Sequence, residues 1–235
     1  MNKKFEKNYE YNNFNKISSE WWKPKGKFKM LHEITPLRLK YILENAPKKQ
    51  IKDLNILDLG CGGGLICEPL ARLKAKVTGI DFVKANIDTA KNHAKNSNLK
   101  INYIHTNLEK FDSKKKYDLI LMLEIIEHLD NWEETIYKIK KNLNKNGTLI
   151  LSTINRTQIA NFFAIFFAEE ILKWVPKRTH SYNKLIKPNE LKENLLKNKF
   201  SISNITGMNY NPITRQWKLN QYIHPINYFC TAKLI

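Results

Sequence analysis

The 235-residue sequence has few cysteines, few glycines and prolines, and no long apolar run. Its three cysteines, Cys61, Cys67 and Cys230, are an odd number without a Cys-x-x-Cys pair, which excludes a disulfide scaffold. Eight glycines and eight prolines exclude collagen-like and low-complexity chains. No stretch approaches the ~20 consecutive apolar residues of a membrane-spanning helix, and the polar start lacks a signal peptide. These absences predict a cytosolic protein. A chain of 235 residues is also long enough to bury a full core.

Arginine is also scarce, with 5 Arg against 35 Lys in a chain whose formal net charge is +18. Proteins that read nucleic acids favour arginine, because its planar fork pairs with phosphate and guanine. The lysines are spread along the whole chain together with 28 asparagines, which indicates compositional drift more than a binding surface. The charge therefore supports only a weak attraction to anionic surfaces, whether nucleic acid or lipid.

Residues 51–153 alternate between short apolar runs and amphipathic stretches. The apolar runs predict strands at 55–60, 76–81, 101–106, 117–124 and 146–153. The amphipathic stretches predict helices at 65–75, 83–97 and 132–143. Strand–helix alternation with short links predicts an α/β fold with a mostly parallel, doubly wound sheet.

The segments around this core carry their own signals. Pro36 predicts the start of a helix over 36–46, Pro188 starts a second helix, and the tail predicts two final strands. The stretch 155–187 is dense in Phe and Ile and breaks the alternation, so we interpret it as an insertion. We predict one domain over 1–235, made of an N-terminal helical cap (1–50), a cofactor-binding core (51–153), the insertion (155–187), and a C-terminal helix with strands (188–235).

The densest signal is LDLGCGGG at 57–64, between a predicted strand and a predicted helix. Glycines let the backbone approach a ligand closely, and open α/β sheets bind ligands at the carboxyl ends of their strands. The loop is not a P-loop, and Leu65 leaves a nicotinamide fingerprint incomplete. Asp81 ends the second predicted strand and can accept hydrogen bonds from an adenosine ribose, which NAD and S-adenosylmethionine share. Asp58, two residues before Gly60, favours S-adenosylmethionine, because a carboxylate attracts its cationic amino group and opposes a pyrophosphate.

Together, LDLGCGGG (57–64), TGID (78–81) and YDLILMLEIIEH (117–128) resemble class I S-adenosylmethionine-dependent methyltransferases. The resemblance implies a Rossmann-like fold, with a mostly parallel seven-stranded sheet and helices on both faces. It also implies how four residues meet the cofactor: Gly60 and Gly62 lie under its methionine part, Asp81 holds its ribose, and Leu123 lies beside it.

Three flanking segments are similar to the ubiquinone-biosynthesis O-methyltransferases, namely EWWKPKGKFKMLHEITPLRLKYI (20–42), VPKRTHSYNKLIKP (175–188) and ITGMNYNPITRQWKL (205–219). This resemblance implies methylation of phenolic or catechol hydroxyls on polyprenylated intermediates, at both O-methylation steps, with a ubiquinone-biosynthesis complex as a further partner. It also implies that Arg38 contacts the carboxylate end of the cofactor, which makes sense by charge.

Another substrate, such as an RNA or a different small phenol, is the alternative for the same chemistry. The scarcity of arginine argues against RNA. So does the absence of an Asn-Pro-Pro-Tyr-type motif after the fourth predicted strand. We therefore expect no nucleic-acid partner.

Glu124, Glu127 and His128 follow the fourth predicted strand. If this stretch turns helically, the three side chains share one face. Two carboxylates and an imidazole suit Mg, Mn or Zn, which would lower the pKa of a bound phenol, and the family resemblance favours this divalent cation. Alternatively the carboxylates lie in a loop, and His128 alone is either the proton acceptor, since an unperturbed His has a pKa near ~6.5, or a packed polar residue.

The apolar stretch IANFFAIFFA (159–168) is too short to span a bilayer. Trp174 follows it, beside Lys173, Lys177 and Arg178, and resembles an interfacial anchor for anionic headgroups. We expect a cytoplasmic protein that attaches peripherally to the inner membrane through 159–178. A lid or a core helix pair that packs over the site is the alternative.

Overall fold

A computed structural model describes residues 11–160, 182–211, 213–214, 216–222 and 225–235. Within these residues one sheet contains eight strands: β1 (Asn55–Leu59), β2 (Lys76–Asp81), β3 (Asn102–His105), β4 (Tyr117–Leu123), β5 (Leu143–Ile154), β6 (Phe200–Asn211), β7 (Gln216–Asn220) and β8 (Asn227–Leu234). The α-helices are α1 (Lys29–Asn45), α2 (Cys67–Arg72), α3 (Lys84–Asn96), α4 (Trp132–Lys140) and α5 (Pro188–Lys197). Residues 11–17 are also helical.

The strands follow the order β3-β2-β1-β4-β5-β8-β6-β7. The first five strands in this order, β3, β2, β1, β4 and β5, pair in parallel. The last three, β8, β6 and β7, pair antiparallel to their neighbours. The predicted α/β fold is confirmed, but the described part of the sheet has eight strands instead of seven. The tail forms three strands instead of the two that we predicted. The prediction missed β7, because this half-exposed edge strand lacks the apolar run that marks a buried strand.

The strand order reverses beside β1, which lies between β2 and β4. Leu59, the last residue of β1, pairs with Ile80 on one side and Met122 on the other. The three strands therefore end at the same edge of the sheet, and Asp81 and Leu123 close β2 and β4 there. Open α/β sheets bind ligands in this crevice, outside the carboxyl ends of the strands.

Apolar side chains cover both faces of the sheet. Ile56 on β1 belongs to a buried cluster that includes Tyr41 of α1. Its neighbour Leu57 points to the opposite face and joins a second cluster, which includes Ile136 of α4 and Leu191 of α5. Successive strand residues thus fill two separate layers, which explains why the central strands are apolar along nearly their whole length.

Helix α1 begins at Lys29, so the prediction that Pro36 starts this helix is wrong. Proline lacks the N–H that would bond the preceding turn, which normally stops a helix. Here Ile34 and Tyr41 are buried on either side of the proline and hold both halves of the helix against the protein. Packing therefore overrides the local signal, and the continuous helix carries Arg38 to the edge of the sheet where β1 and β4 end.

The chain leaves the sheet after β5 and returns before α5. The N–H of Ile186 donates to the carbonyl of Ile154 at 3.2 Å, and Arg156 bonds the carboxylate of Glu190 at 2.6 Å. These bonds hold together the two ends of the segment 155–187. The arrangement is compatible with an insertion, and the domain division itself stays a prediction.

The segment predicted to dock on a membrane, 159–178, lies almost wholly outside the described residues, which stop at 160 and resume at 182. Across the ranges that are described, no helix is both long enough and apolar enough to cross a membrane. Docking through this segment therefore stays a prediction.

Candidate cofactor and substrate site

The loop after β1 has the backbone conformation that its glycines allow. Gly60, Gly62 and Gly64 have φ angles of +78°, +53° and +90°, a region that other residues rarely adopt. The N–H groups of Gly60 and Cys61 both donate to the carbonyl of Ile80, at 2.8 and 2.9 Å. The loop is therefore tied to the end of β2.

Asp81 lies directly against this loop. Its carboxylate accepts hydrogen bonds from the N–H of Gly62 at 3.0 Å, the N–H of Val83 at 2.8 Å and the side-chain amide of Asn86 at 3.2 Å. Burial raises the pKa of Asp81, and the bonds from Val83 and Gly62 oppose that rise. Two of the predicted cofactor residues, Gly62 and Asp81, are thus brought together by a direct bond.

An aromatic wall, formed by Trp21, Trp22 and Phe28, covers the glycine loop. A Cβ added to Gly62 would lie 2.4 Å from the Trp21 ring, and one added to Gly63 would lie 2.3 Å from it. The absence of side chains at these two glycines leaves room for the Trp21 ring on one side of the loop, and the cofactor contact of Gly60 and Gly62 stays a prediction. No local signal in the sequence predicts the contact of Trp21 with the loop.

The aromatic wall is fixed at several points. The Trp21 ring stacks on Phe28, with centroids 3.7 Å apart, and its indole N–H donates to Asn86 Oδ1 at 2.8 Å. The Trp22 indole donates to the carbonyl of Gly63 at 3.0 Å and stacks on His93 at 3.5 Å. The wall is therefore part of the candidate site and joins the N-terminal segment to α3.

Arg38 reaches the same crevice from α1. It is 6% exposed, and its Nη2 lies 3.7 Å from a carboxylate oxygen of Glu124. Its Nε and Nη2 atoms have no hydrogen-bond partner. Burial lowers the pKa of Arg38, although the negative charges of Glu124 and Asp58 oppose this effect. Because buried donors are normally satisfied, this guanidinium fits an anionic ligand group such as a carboxylate.

Asp58 lies close enough to Arg38 for their charges to interact. Burial raises its pKa to about 6, and a hydrogen bond from the Cys67 thiol and the charge of Arg38 oppose the rise. Asp58 and Arg38 therefore present opposite charges at one end of the crevice. Such a pair is complementary to the ammonium and carboxylate of an amino acid, which is the methionine end of S-adenosylmethionine. The residues present thus fit the predicted cofactor.

Glu124 has a backbone φ of +52°, which breaks the turn that we expected after β4. Its carboxylate accepts from the hydroxyl of Ser152 at 2.9 Å and from the amide of Asn227 at 3.2 Å. The condition for a shared face with Glu127 and His128, a helical turn through Glu124, is not met, because the 3-10 turn begins only at residue 126. Glu127 instead accepts from the hydroxyl of Thr153, at 2.8 Å.

The predicted metal ligands do not form a metal site in this arrangement. Among the described residues, no group of three or more His, Cys, Asp or Glu side chains is placed to hold an ion. Both carboxylate oxygens of Glu124 are bonded by protein donors, from Ser152 and Asn227. The described structure therefore does not support a divalent cation at Glu124, Glu127 and His128, and this site stays a prediction.

Glu127 and His128 lie side by side at this edge of the sheet. Burial raises the pKa of Glu127 to about 7, the charge of Glu124 adds to the rise, and His128 opposes it. One carboxylate oxygen of Glu127 is buried without a hydrogen-bond partner, whereas His128 is partly exposed. A neighbouring carboxylate stabilises a protonated imidazole, so this pair is able to accept a proton from a substrate.

Sequence reasoning missed several residues of the site. Ser152, Thr153 and Asn227 lie at the ends of β5 and β8, so knowledge of the strand order would have placed them beside β4. Asn86 lies in the first turn of α3, close in sequence to Asp81. Trp21 lies far from Gly62 in the sequence, and only the three-dimensional fold reveals its position.

Solved structures share this architecture. The magnesium protoporphyrin IX methyltransferase of Synechocystis PCC 6803, with bound SAH, aligns over 86% of this chain and 82% of that one, with a TM-score of 0.64 and 19% identity. A SAM-dependent methyltransferase of Thermotoga maritima aligns over 95% of this chain and 98% of that one, with a TM-score of 0.68 and 15% identity. A family model described as a methyltransferase domain matches residues 30–201. The fold and the site define a class I methyltransferase.

Curated relatives narrow this class. The ubiquinone biosynthesis O-methyltransferase of Rickettsia akari (strain Hartford) is 44% identical over 219 residues, which cover 92% of this chain and 87% of that protein. The enzyme of the same name from Pelagibacter ubique (strain HTCC1062) is 45% identical over 218 residues, covering 89% and 91%. The chain belongs to the family of ubiquinone biosynthesis O-methyltransferases, as its flanking segments predicted.

Proposed function

We propose that the chain is an S-adenosylmethionine-dependent O-methyltransferase of ubiquinone biosynthesis. Its substrates are phenolic and catechol hydroxyls of polyprenylated intermediates, at both O-methylation steps. The observation that carries the cofactor assignment is the buried guanidinium of Arg38, whose Nε and Nη2 lack hydrogen-bond partners. Membership in the family carries the substrate assignment.

The cofactor residues act by charge and by hydrogen bonding. Arg38 pairs with the carboxylate of the methionine end, and Asp58 attracts its ammonium. Asp81 would accept from a ribose hydroxyl at the position that its protein donors leave open. The loop at Gly60 and Gly62 would lie under the methionine part, and Leu123 would lie beside the cofactor. When bound, S-adenosylmethionine supplies an electrophilic methyl group on a sulfonium.

His128 is the proposed proton acceptor. A phenol has a pKa near ~10, as tyrosine does, so little phenolate exists at neutral pH. His128 takes the phenolic proton, and the charge of Glu127 stabilises the imidazolium that results. Loss of that proton leaves the phenolic oxygen as the nucleophile for in-line transfer of the methyl group that a bound S-adenosylmethionine would supply. Orientation of the reactants supplies much of the rate of such an in-line step.

The test is a methylation assay on a short-chain polyprenyl catechol, with an RNA substrate in parallel. We expect methyl transfer to the catechol, and Arg38→Met should raise the KM for S-adenosylmethionine about tenfold or more. Lys40→Met is the matched control, because Lys40 lies on the same helix with its side chain exposed. Transfer to RNA but not to the catechol would favour the alternative substrate.

His128→Ala in the same assay should lower kcat by about 100-fold or more. A divalent cation at Glu124, Glu127 and His128 stays a prediction, and the mechanism above contains no step that needs one. Activity that survives a chelator would agree with the observed carboxylate contacts. Activity lost with a chelator and restored by Mg²⁺, Mn²⁺ or Zn²⁺ would show that these side chains rearrange around an ion.

The segment 159–178 is the proposed membrane-docking element, at the cytoplasmic side of the inner membrane. The residues between this segment and α5 contact β8, because the hydroxyl of Tyr228 donates to the carbonyl of Ile186 at 3.0 Å. The net charge of +18 favours anionic lipids, and a substrate with an isoprenoid tail partitions into lipid. Membership in a ubiquinone-biosynthesis complex stays a prediction.

Flotation with anionic liposomes tests the docking. Wild type should float, and a Phe162/Phe163/Phe166/Phe167→Ser variant should not. Equal flotation of the wild type and the variant would contradict membrane docking through this segment. It would favour the alternative, in which the segment is a lid over the site.

A further inference from the structure

Asn86 uses both ends of its side-chain amide within the candidate site. It is 2% exposed and lies in the first turn of α3. Its Oδ1 accepts from the indole N–H of Trp21 at 2.8 Å, and its Nδ2 donates to Asp81 Oδ1 at 3.2 Å. One short side chain therefore joins the aromatic wall to the carboxylate assigned to the ribose.

The chemistry of the two neighbours specifies an amide at this position. An indole N–H only donates, and an ionised carboxylate only accepts, so the bridging side chain needs an acceptor on one end and a donor on the other. An aspartate would place a second carboxylate against Asp81. A leucine or an alanine would leave the indole N–H of Trp21 without this acceptor in a buried place and would remove one of the three donors to Asp81.

The bridge also orients Asp81. A carboxylate accepts at about four positions, and Gly62, Val83 and Asn86 fill three of them. Two of these donors are backbone N–H groups, and Asn86 supplies the side-chain donor to Asp81. The orientation of Asp81 toward a ribose therefore depends on Asn86.

We propose that Asn86 is a positioning residue of the cofactor site, which holds Asp81 and the aromatic wall together as one unit. This inference rests on the proposed function, because it takes the crevice to be the site of S-adenosylmethionine. Asn86 acts through its two neighbours: it fixes the carboxylate toward the ribose, and it keeps the Trp21 ring over Gly62 and Gly63.

Calorimetric titration of the full-length protein with S-adenosylhomocysteine tests the proposal. Asn86→Ala should raise the Kd about tenfold, because it removes a hydrogen bond to a charged group. Trp21→Phe should raise it less, since the ring remains and only the N–H is lost. Asn92→Ala is the matched control on an exposed position of the same helix, and it should bind as wild type does.

Asn86→Asp gives a pH profile that a merely structural role would not. Two adjacent carboxylates cannot both ionise readily, so this variant should bind weakly at pH 8 and more tightly as the pH falls, when a shared proton restores a bond. The other titratable groups that face Asp81 are Asp58 on β1, Cys61 in the loop and His105 on β3. These three groups are present in the wild type and in the Asn86→Asp variant. Protonation of Asp58 should weaken the binding of S-adenosylhomocysteine to the wild type at acid pH, whereas the variant should bind more tightly as the pH falls.

The outcomes separate this inference from the function on which it rests. A wild-type protein that does not bind S-adenosylhomocysteine would overturn both. A wild-type protein that binds, with Asn86→Ala equal to Asn92→Ala, would overturn the inference alone. So would an Asn86→Asp variant whose affinity falls with pH as that of the wild type does. Thermal unfolding of each variant identifies any that fail to fold, and Trp21→Phe then carries the test.

Discussion

Asp58 and Arg38 place opposite charges at one end of the candidate cofactor site, and the titration of Asp58 should therefore govern affinity. Burial raises its pKa to about 6, so Asp58 is mostly neutral below that pH. We expect affinity for S-adenosylhomocysteine to increase as the pH rises through about 6, because only the ionised carboxylate attracts the ligand ammonium. Asp58→Asn should remove this dependence and bind at every pH as weakly as acidic wild type. Calorimetry between pH 5 and 8 measures both, and parallel profiles would contradict the assignment.

Gly62 is the residue at which backbone conformation and packing coincide. Its φ is +53°, and an added Cβ would lie 2.4 Å from the Trp21 ring. Gly62→Ala should destabilise the protein by about 2 kcal/mol through backbone strain, and should displace the ring. Denaturant unfolding gives the free energy.

Gly26→Ala is the control for backbone strain, because Gly26 does not have a positive φ, although an added Cβ would lie 2.9 Å from Glu20 and 3.1 Å from the carbonyl oxygen of Lys23. In a double variant, Trp21→Ala removes the clash at Gly62, so the two costs should sum to more than the measured total. Strictly additive costs would show that Trp21 does not pack on this glycine.

The sequence predicted the residues of this site that act close to their own strands. Asp81 and Leu123 end buried parallel strands, so the strand pattern alone places them at one edge of the sheet. Trp21, Asn227 and Ser152 reach the site through contacts between distant parts of the chain. Their positions follow from sheet order and packing, which no local pattern contains.

At the scale of elements, the same distinction separates success from error. The strands β1, β2 and β4 were predicted within one residue, because burial on both faces requires a continuous apolar run. The edge strand β7 was missed, since a half-exposed strand lacks that run. Pro36 predicts the start of a helix, but α1 continues through this proline because it packs against the sheet.

The N-terminal segment before α1 is attached to the core mainly through aromatic contacts. Trp22 stacks on His93 at 3.5 Å, and His93 in turn bonds the buried carboxylate of Glu68 at 2.6 Å. His93→Ala should loosen the segment, so that trypsin cleaves residues 16–29 about fivefold faster, as expected for the loss of one ring stack. Mass spectrometry of early digests measures the rate.

His93→Phe keeps the stack but loses the bond to Glu68, so its cleavage rate should be intermediate. Asn92→Ala, on the same helix but exposed, should leave the rate unchanged. If all variants were cleaved as wild type is, the aromatic wall would not depend on His93.

At the scale of the whole molecule, a chain of net charge +18 has four buried carboxylates among its described residues. Glu68 on α2 is bonded to His93. The other three, Asp58, Asp81 and Glu127, lie at or just after the ends of β1, β2 and β4. The pKa of each is raised by burial. These groups reduce stability when they ionise, and the ammonium of a bound ligand would offset that cost at Asp58. The site is therefore destabilising without its ligands, which is a common property of functional sites.

The pH dependence of stability follows from this cost. The pKa of Glu127 rises from 4.5 to about 7 on folding, so the folded protein binds more protons than the unfolded chain between these values. Stability therefore falls as the pH rises from about 4 to 7. At about 1.4 kcal/mol per pH unit, the cost at neutral pH is about 3 kcal/mol. Glu127→Gln avoids the cost, because an amide does not ionise.

We expect Glu127→Gln to be as stable as wild type near pH 4 and more stable by a few kcal/mol near pH 7. Thermal unfolding of both proteins across this range measures the difference. Glu133→Gln, on an exposed face of α4, controls for the general effect of removing a negative charge from a strongly basic chain. A constant difference between Glu127→Gln and wild type at all pH values would show that Glu127 does not change its protonation on folding. Its raised pKa would then have no part in how the enzyme accepts a proton at the edge of the sheet.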